Sequence, residues 1–318
     1  MNGLVIALTT FSITAWLMFN FAFTSNLNES LLDARPDIFT VMSTLSIVTN
    51  IMVIMYFISF YRASVTSPGR VPDAPPWNLI DPADQAPARE VKKSGGKRYC
   101  RYDRKYKPDR THHCSQCQEC TLRMDHHCPW LDNCIGFWNY KFFLLTLFYG
   151  SLSLMLIGVS CGWLGWYIFG FTPVAGIDIS RLAVGLAVGA VCALGSFVIV
   201  LFLSMHVVMA AKGLTTIEVF EKGNQGMDDD SCIRTICCTK RDPVTKKPLY
   251  PPSSYKLESF VQNLKAAMGE DILRWFIPSM PVMKTGSEDG LIFQTNEPLD
   301  ASKIEESADS PLINPHDR

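Results

Sequence analysis

The sequence predicts an all-α polytopic membrane protein with four transmembrane helices and a small cytosolic cysteine-rich domain between the second and third helices. Its 318 residues are 48% apolar and only 19% charged, which is an unusually apolar balance for a soluble protein. Four stretches lack Asp, Glu, Lys and Arg and reach the roughly 20 helical residues that cross a hydrocarbon core of about 30 Å. These predicted spans are Gly3 to Phe23, Ile38 to Tyr61, Phe142 to Tyr167 and Leu182 to Ala211.

The first apolar stretch resembles a cleaved signal peptide in position, but it has no basic residues before it and is longer than a usual signal-peptide core. We therefore interpret it as a membrane anchor. The alternative for the other three stretches is a set of buried helices in a soluble protein, and their uninterrupted apolar length disfavours that alternative.

The distribution of the 29 basic residues predicts the orientation in the membrane. Fourteen lie between Arg62 and Lys141 and 13 follow Ala211, whereas the two remaining loops hold only Arg35 and Arg181. The positive-inside rule then places both termini and the cysteine-rich domain in the cytosol. The net charge of -1 and the dispersed basic residues give no sign of nucleic-acid binding.

Composition divides the chain into six segments. A Pro-rich stretch follows the second span and predicts an extended cytosolic linker that does not pack. The last residues are rich in Ser, Asp and Glu and predict disorder. The predicted order is spans 1 and 2 (1–61), linker (62–98), cysteine-rich domain (99–141), spans 3 and 4 (142–211), an ordered cytosolic C-terminal region (212–282) and a disordered acidic tail (283–318).

Six of the 11 cysteines lie between Cys100 and Cys134, with four histidines among them. A reducing cytosol disfavours disulfides, so this cluster predicts metal binding. Thiolate and imidazole donors at short spacing favour tetrahedral zinc. A separate group of Cys232, Cys237 and Cys238 could be acylation sites, a small metal site or a plain surface cluster.

The run from Tyr99 to Phe143 resembles the cysteine-rich domain of the DHHC family of protein S-acyltransferases (palmitoyltransferases). The shared motifs include Lys107-Pro108-Asp109-Arg110 and Asp125-His126-His127-Cys128-Pro129-Trp130. Downstream, Thr215-Thr216-Ile217-Glu218 looks like the TTxE motif of that family, and Asn263 to Pro278 resembles its C-terminal Asn-aromatic motif.

The resemblance implies two interleaved zinc sites. The first departs from the family pattern, because Asp103 stands where the family has cysteine. A carboxylate can ligate zinc, so the site could persist as a harder and weaker one, be lost, or have water in the ligand position. The implied ligand sets are Cys100, Asp103, His113 and Cys120 for the first site, and Cys114, Cys117, His127 and Cys134 for the second.

The resemblance also implies that Cys128 is a nucleophile, with His126 as general base and Asp125 orienting the His126 ring. An unperturbed thiol with a pKa near 8.5 is mostly protonated at neutral pH, so an adjacent imidazole would supply the thiolate. Cys128 is also left over once eight ligands fill two tetrahedral sites. The implied reaction is ping-pong transfer of a long-chain acyl group, such as palmitoyl, from acyl-CoA to membrane-proximal cysteines of substrate proteins.

Further residues are predicted to hold the substrate or the fold. Lys107 and Arg110, with Lys105 and Arg123 as competitors, would bind the CoA phosphates, or else form a solvated basic face. Trp130 would shape the mouth of an acyl-chain cavity, and the small side chain of Ser153 would leave room for chains longer than palmitoyl. Structural support under the site is expected from Thr215, Thr216 and Glu218, and from Asn263 through backbone hydrogen bonds near the third and fourth spans.

A rival interpretation is a non-catalytic, zinc-stabilised membrane scaffold that recruits partners through its linker and tail. A metal transporter is weaker, because the spans contain no acidic residue and only His206 as an imidazole. The resemblance places the protein in the endomembrane system, and the sequence leaves Golgi, endoplasmic reticulum and plasma membrane open.

Overall fold

The computed structural model describes residues 3–21, 35–78, 88–90, 97–170, 179–223 and 255–294. The chain divides into two compact units. The helical unit comprises residues 1–65, 129–132 and 142–207, and the cysteine-rich unit comprises residues 66–128, 133–141 and 208–318.

Four long helices carry the apolar stretches: α1 (Gly3–Phe19), α2 (Pro36–Val65), α3 (Tyr140–Gly170) and α4 (Ile179–Ala211). Within the described residues, three helical segments are long and apolar enough to cross a membrane, at Pro36–Val65, Tyr140–Trp166 and Ala183–Ala211. They contain or overlap the last three predicted spans. α1 has 17 residues, about 26 Å at 1.5 Å per residue, which is short of a full crossing. A fourth span stays a prediction, because residues 22 and 23 lie outside the described part.

The helical unit is held by a small apolar core and by a few polar contacts between helices. Phe19 of α1 and Met42 of α2 pack in one cluster with Cys161 of α3 and Cys192 of α4. The indole of Trp16 donates a hydrogen bond to Asn50 Oδ1 at 2.7 Å. Such a bond between apolar helices pairs polar side-chain groups that have no water available as a hydrogen-bond partner.

The cysteine-rich segment consists of three antiparallel β-hairpins, so the all-α prediction is wrong for this part of the chain. The hairpins are β1 (Tyr99–Cys100) with β2 (Lys105–Tyr106), β3 (His112–Cys114) with β4 (Glu119–Thr121), and β5 (His126–Cys128) with β6 (Asn133–Ile135). In each, the residue before the second strand has positive φ: Arg104 at 54°, Gln118 at 57° and Asp132 at 51°. Such left-handed residues close tight turns, which short segments between metal-ligand pairs require.

The linker prediction is wrong for residues 66–78, because this stretch packs instead of running free. Val71 and Trp77 are buried in a cluster with Cys100, Cys120 and Leu122. The backbone of this stretch is also hydrogen-bonded to the cysteine-rich hairpins. Tyr106 N donates to Trp77 O at 2.7 Å, and Leu122 N donates to Gly69 O at 3.0 Å. Burial of these apolar side chains makes the stretch pack in spite of its many prolines. Residues 79–87 and 91–96 of the linker lie outside the described residues.

The predicted boundary of the disordered tail at residue 283 is also wrong. Met283 and Phe293 are buried in the same cluster as Val71, and the Phe293 ring meets Phe137 edge to face at 6.1 Å. Two apolar anchors thus bind a polar segment that composition alone marks as disordered. The remaining tail, 295–318, and the cysteine group at 232–238 lie outside the described residues.

The C-terminal region adds α5 (Thr216–Gly223), α6 (Phe260–Met268) and one 3₁₀ turn (Ile272–Arg274). The Ser259 hydroxyl accepts from Gln262 N, and the Gln262 side chain accepts from Ser259 N, which is a capping box at the start of α6. Gly269 follows the helix as its C-cap, with a φ of 98° that suits glycine.

Candidate active site

The β5–β6 hairpin separates two histidines that are adjacent in sequence. Successive strand residues point to opposite faces, so His126 and Cys128 share one face and His127 lies on the other. His127 is paired with Cys134 across the hairpin, and directly opposed residues share a face. Because side chains alternate along a strand, His127 has different neighbours from His126 and Cys128.

On the first face, Cys128, His126 and Asp125 form a connected chain. Cys128 is close enough to His126 to influence its pKa, and His126 Nδ1 lies 2.7 Å from Asp125 Oδ2. A carboxylate accepts only, so Nδ1 carries the proton in this contact. Cys128 is 5% exposed and Asp125 is 1% exposed. The arrangement has the order nucleophile, base and orienting acid found in Cys-His-Asp systems.

Asp125 is itself held in place by α5. The Thr216 hydroxyl donates to Asp125 Oδ2 at 2.7 Å, and Thr216 N donates to Asp125 Oδ1 at 3.0 Å. The Asp125 backbone N–H donates to Ile135 O at 2.8 Å. Hydrogen bonds to the charged form are what allow a carboxylate to remain ionised when buried.

The pKa of His126 reflects competing effects. Burial lowers it, but the hydrogen bonds to Asp125 and Cys128, together with their negative charges, outweigh burial and raise the pKa to about 9. The imidazolium is thus favoured in this setting, and a protonated ring beside a sulfur can balance the charge of a thiolate.

On the other face, Cys114, Cys117, His127 and Cys134 place one donor atom each within 4.8 Å of all the others. Around His127 Nδ1 the three sulfurs lie at 3.7, 3.4 and 3.7 Å, and the sulfurs of Cys117 and Cys134 are 3.5 Å apart. A tetrahedral zinc with usual bond lengths needs about 3.6 Å between S and N and about 3.8 Å between two S atoms. The donor set and its spacing fit zinc.

Cys100, Asp103, His113 and Cys120 form the second such group, also within 4.8 Å. Asp103 Oδ1 lies 3.0 Å from His113 Nδ1, and Cys120 Sγ lies 3.9 Å from the same His113 nitrogen. The other oxygen, Asp103 Oδ2, accepts the Cys120 N–H at 2.6 Å. This bond orients the carboxylate so that Oδ1 faces the other three donors. Asp103 can therefore serve as a ligand through one oxygen.

Arg110 is engaged in a way that corrects its expected role at a CoA phosphate. Its guanidinium makes two bonds to Glu218, at 2.6 and 2.9 Å, and one to Gly213 O at 2.9 Å. The rings of Tyr255 and Phe293 lie 4.9 and 5.3 Å away. The residue is only 4% exposed. With its charge neutralised and its surface covered, Arg110 stabilises the fold, while Lys107 is partly exposed.

The Thr215 to Glu218 motif is a capping box at the start of α5, a signal that sequence reasoning missed. Glu218 N donates to the Thr215 hydroxyl at 3.3 Å, and Thr215 N donates to Glu218 Oε2 at 2.9 Å. The S/T-x-x-E pattern is recognisable from sequence as a helix start. Thr215 and Glu218 therefore cap the helix together, Glu218 also binds Arg110, and Thr216 holds Asp125.

Asn263 hydrogen-bonds locally, contrary to the expectation that it would bond to backbone near the third and fourth spans. Its amide bonds to the backbone of Leu257 in both directions, at 3.0 and 3.2 Å, and donates to Ser259 O at 2.9 Å. Trp130 and Ser153 belong to the helical unit. Trp130 is exposed, and the buried Ser153 hydroxyl donates to Tyr149 O at 2.7 Å.

Comparison with known proteins adds an independent line of observation. Residues 93–223 match the model of a family described as DHHC palmitoyltransferase. Palmitoyltransferase pfa3 of Aspergillus fumigatus is 43% identical over 137 residues, which are 42% of this chain and 24% of that protein. Probable protein S-acyltransferase 13 of Arabidopsis thaliana is 38% identical over 184 residues, or 54% and 59% of the two chains. Palmitoyltransferase ZDHHC2 of Rattus norvegicus is 58% identical over 67 residues, or 21% and 18%. The chain therefore spans less than two thirds of each of these relatives.

Proposed function

We propose, from the premise that residues 93–223 form a DHHC palmitoyltransferase domain, that the chain is a protein S-acyltransferase using Cys128 as its nucleophile. The observation that carries the proposal is the position of Cys128. Its sulfur belongs to neither four-residue metal group, and its side chain lies near His126, which in turn bonds to Asp125. The names of the similar fungal, plant and rat proteins support the same activity.

The first half-reaction transfers the acyl group to the enzyme. The Cys128 thiolate attacks the thioester carbonyl carbon of a long-chain acyl-CoA, a new carbon–sulfur bond forms, and the bond to the CoA sulfur breaks. CoA leaves as a thiol after taking the proton that His126 holds. Asp125 keeps the His126 ring oriented through its contact with Nδ1.

The second half-reaction transfers the acyl group to a cysteine of a substrate protein. The substrate thiol donates its proton to His126, its sulfur attacks the acyl carbon on Cys128, and the Cys128 thiolate is released beside the imidazolium. The starting state is restored, and the kinetics are ping-pong.

Incubating the purified chain with labelled palmitoyl-CoA tests this proposal. A hydroxylamine-sensitive label is expected on the peptide that contains Cys128, before any protein substrate is added. Label confined to other cysteines, or a stable chain with no thioester label, would contradict the enzyme and favour a zinc-stabilised scaffold.

We further propose that both donor groups hold zinc with a structural role. When bound, zinc would cross-link segments distant in sequence, because each group joins residues from two hairpins. Cys114, Cys117, His127 and Cys134 supply three thiolates, and Cys100, Asp103, His113 and Cys120 supply only two. The Asp103 site is thus the weaker of the two.

Replacing Asp103 with Cys is expected to strengthen the weaker zinc site, because a third thiolate replaces a hard carboxylate oxygen. In a titration with a competing chelator, wild type should release one zinc before the other. The variant should release both together, at higher chelator concentration. A zinc content near one per chain in wild type, unchanged in the variant, would show that the Asp103 site is not a zinc site.

Replacing Thr216 with Val is expected to slow acyl transfer, since it removes the hydroxyl bond to Asp125 Oδ2. A hydrogen bond to a charged group contributes about 1.5–3 kcal/mol, which corresponds to a rate loss of roughly 10- to 100-fold. The rate loss is measured as the single-turnover rate of acyl-enzyme formation in the variant and in wild type. Thr146→Val is the control, because that hydroxyl bonds only within its own helix. Equal rates in the two variants would show that the Thr216 bond does not support the reaction.

The finer membrane placement is also a proposal: four spans, with both termini and the cysteine-rich unit cytosolic, in the endomembrane system. An active thiol on that side suits substrate cysteines near the bilayer. Lys107 is the proposed cation for the CoA phosphates, and Trp130 and Ser153 the proposed contacts of the acyl chain.

Replacing Ser153 with Phe is expected to shift acyl-chain preference toward shorter chains, because a phenyl ring would occupy space that the small Ser153 side chain leaves open. Turnover of stearoyl-CoA should fall relative to myristoyl-CoA. Ser204→Phe is the control, since Ser204 is exposed on α4. An unchanged preference in Ser153→Phe would remove Ser153 from the site.

A further inference from the structure

Residues 283–294, which we call the strap, are fixed to the cysteine-rich unit near both of their ends. At the first end Met283 is buried, and the Glu270 carboxylate accepts the Thr285 N–H at 2.6 Å and a second hydrogen bond from the Thr285 hydroxyl. At the other end Phe293 is buried in the same apolar cluster as Met283. The strap therefore has two apolar anchors and one polar anchor, which is the contact between Glu270 and Thr285.

Between its anchors the strap turns back on itself. Gln294 N donates to Gly286 O at 2.7 Å, which joins the two ends. Gly290 has a φ of 77°, and a Cβ atom at this position would lie 2.7 Å from the Phe137 ring, so the close contact requires glycine. Displacing one end of the strap therefore disturbs the other end as well.

Phe293 covers a charge pair that supports the candidate active site. Its ring centroid lies 5.3 Å from the guanidinium carbon of Arg110, and Arg110 makes two bonds to Glu218 of α5. Thr216 of the same helix holds Asp125. An ion pair is stronger where apolar side chains exclude water. The strap thus protects the contact that keeps α5 in place.

The Thr285 side chain lines an open cavity of about 640 Å³ in the cysteine-rich unit. Two lysines, Lys265 and Lys284, and two glutamates, Glu258 and Glu270, line the same cavity, so the charges of these lining residues balance. Lys265 already lies 3.5 Å from Glu270. The cavity has room for a phosphoryl group on Thr285, but its lining holds no excess positive charge to neutralise one.

Acidic residues make the strap complementary to a kinase with a basic substrate groove. Glu288 and Asp289 follow Thr285 by three and four residues, and both are exposed. The other hydroxyl of the strap, on Ser287, is only 7% exposed and accepts the Gly290 N–H at 2.9 Å. Thr285 is partly exposed, so it is the more accessible of the two hydroxyl residues.

We propose that Thr285 is a phosphorylation site whose modification releases the strap. A protein kinase transfers the terminal phosphoryl group of a nucleoside triphosphate to the Thr285 oxygen, the hydroxyl proton is lost, and the nucleoside diphosphate leaves. The modified oxygen has no proton to donate to Glu270, and a charge of about −1.5 to −2 then lies beside that carboxylate. Like-charge repulsion removes the polar anchor.

Release of the strap also slows acyl transfer, a consequence that rests on the proposed function. Once Phe293 moves away, water reaches the ion pair of Arg110 and Glu218 and weakens it. The support that α5 gives to Asp125 weakens in turn.

Hydrogen–deuterium exchange of the full chain in lipid nanodiscs tests the release without depending on activity. Phosphothreonine is placed at position 285 by genetic code expansion. The backbone amides of Gly290 and Gln294 are expected to exchange roughly 10-fold faster or more than in the unmodified chain. Glu288→phosphoserine is the matched control, because it adds a phosphate at an exposed position of the same strap, and its exchange should stay unchanged. Unchanged exchange with phosphothreonine at 285 would overturn the proposal.

Glu270→Gln tests whether charge repulsion causes the release. A neutral amide does not repel the phosphate and can donate a hydrogen bond to it. Phosphothreonine at 285 is therefore expected to leave the exchange of the strap nearly unchanged in this variant. Exchange that is accelerated as strongly as with Glu270 present would overturn the mechanism.

Incubating the full chain with an acidophilic protein kinase and labelled ATP tests whether Thr285 accepts phosphate. Label is expected on the peptide that contains Thr285 and should be absent from Thr285→Val. Label confined to other residues, or no label, would overturn the assignment of the site.

Acyl-enzyme formation is then compared between the unmodified chain and the chain with phosphothreonine at 285, and the modified chain should be several-fold slower. Equal rates together with faster exchange of the strap would overturn the effect on acyl transfer. Absence of acyl-enzyme in both forms would contradict the proposed function, whereas the exchange measurement would still decide whether the strap is released.

Discussion

Cys128→Ser is expected to abolish transfer of acyl groups to substrate proteins while leaving the zinc content unchanged. A serine hydroxyl has almost the same size as the thiol, so the buried position tolerates it, but it is ionised far less readily at neutral pH. Cys128 is outside both metal groups, and its loss should leave the zinc ligands intact. The thioester label on the enzyme disappears together with the transfer.

Cys161→Ser is the matched control for this result. Cys161 is also a buried thiol, packed in the core of the helical unit, and it should retain acyl-enzyme formation. Wild-type amounts of hydroxylamine-sensitive label on Cys128→Ser would move the nucleophile to another cysteine. A loss of zinc in that variant would place Cys128 among the ligands instead.

Cys134→Ser is expected to remove both zinc from its site and the catalytic activity. Cys134 is fully buried and its sulfur lies 3.7 Å from His127 Nδ1. Structural zinc sites contribute on the order of 10–16 kcal/mol in small zinc-finger peptides. That is comparable to the roughly 5–15 kcal/mol by which a whole domain is typically stable. Losing the site should therefore unfold the three hairpins.

Elemental analysis and limited proteolysis measure this outcome. Zinc should fall by at least one ion per chain, and the segment 97–141 should become protease-sensitive. Cys192→Ser controls for loss of a buried thiol outside the metal groups, and it should keep both zinc and protease resistance. Full zinc content in Cys134→Ser would contradict the ligand assignment. The two serine variants together separate the reacting thiol from the thiols that maintain the fold.

Several errors of sequence reasoning share one physical cause. Composition averages over a segment, whereas packing depends on single side chains. The linker is rich in proline, but its side chains Val71 and Trp77 are buried in an apolar cluster. The start of the acidic tail, as far as Gln294, is held by the buried side chains of Met283 and Phe293. Arg110 looked like a free cation because its acceptor, Glu218, is 108 residues away.

The sequence by itself predicted the apolar helices and a metal-binding cluster of cysteines and histidines, whereas the division of that cluster into two ligand sets and one cysteine outside them came from the family resemblance. The helices and the cluster depend on local length, residue chemistry and short spacing, which a linear chain displays directly. Only the tertiary structure decided that Thr216 holds Asp125 across 91 residues, and that Asp103 turns one oxygen toward His113 because Cys120 N–H holds the other. Such contacts follow from which segments fold against each other, and hydrogen bonds between distant residues leave no periodic trace in a sequence.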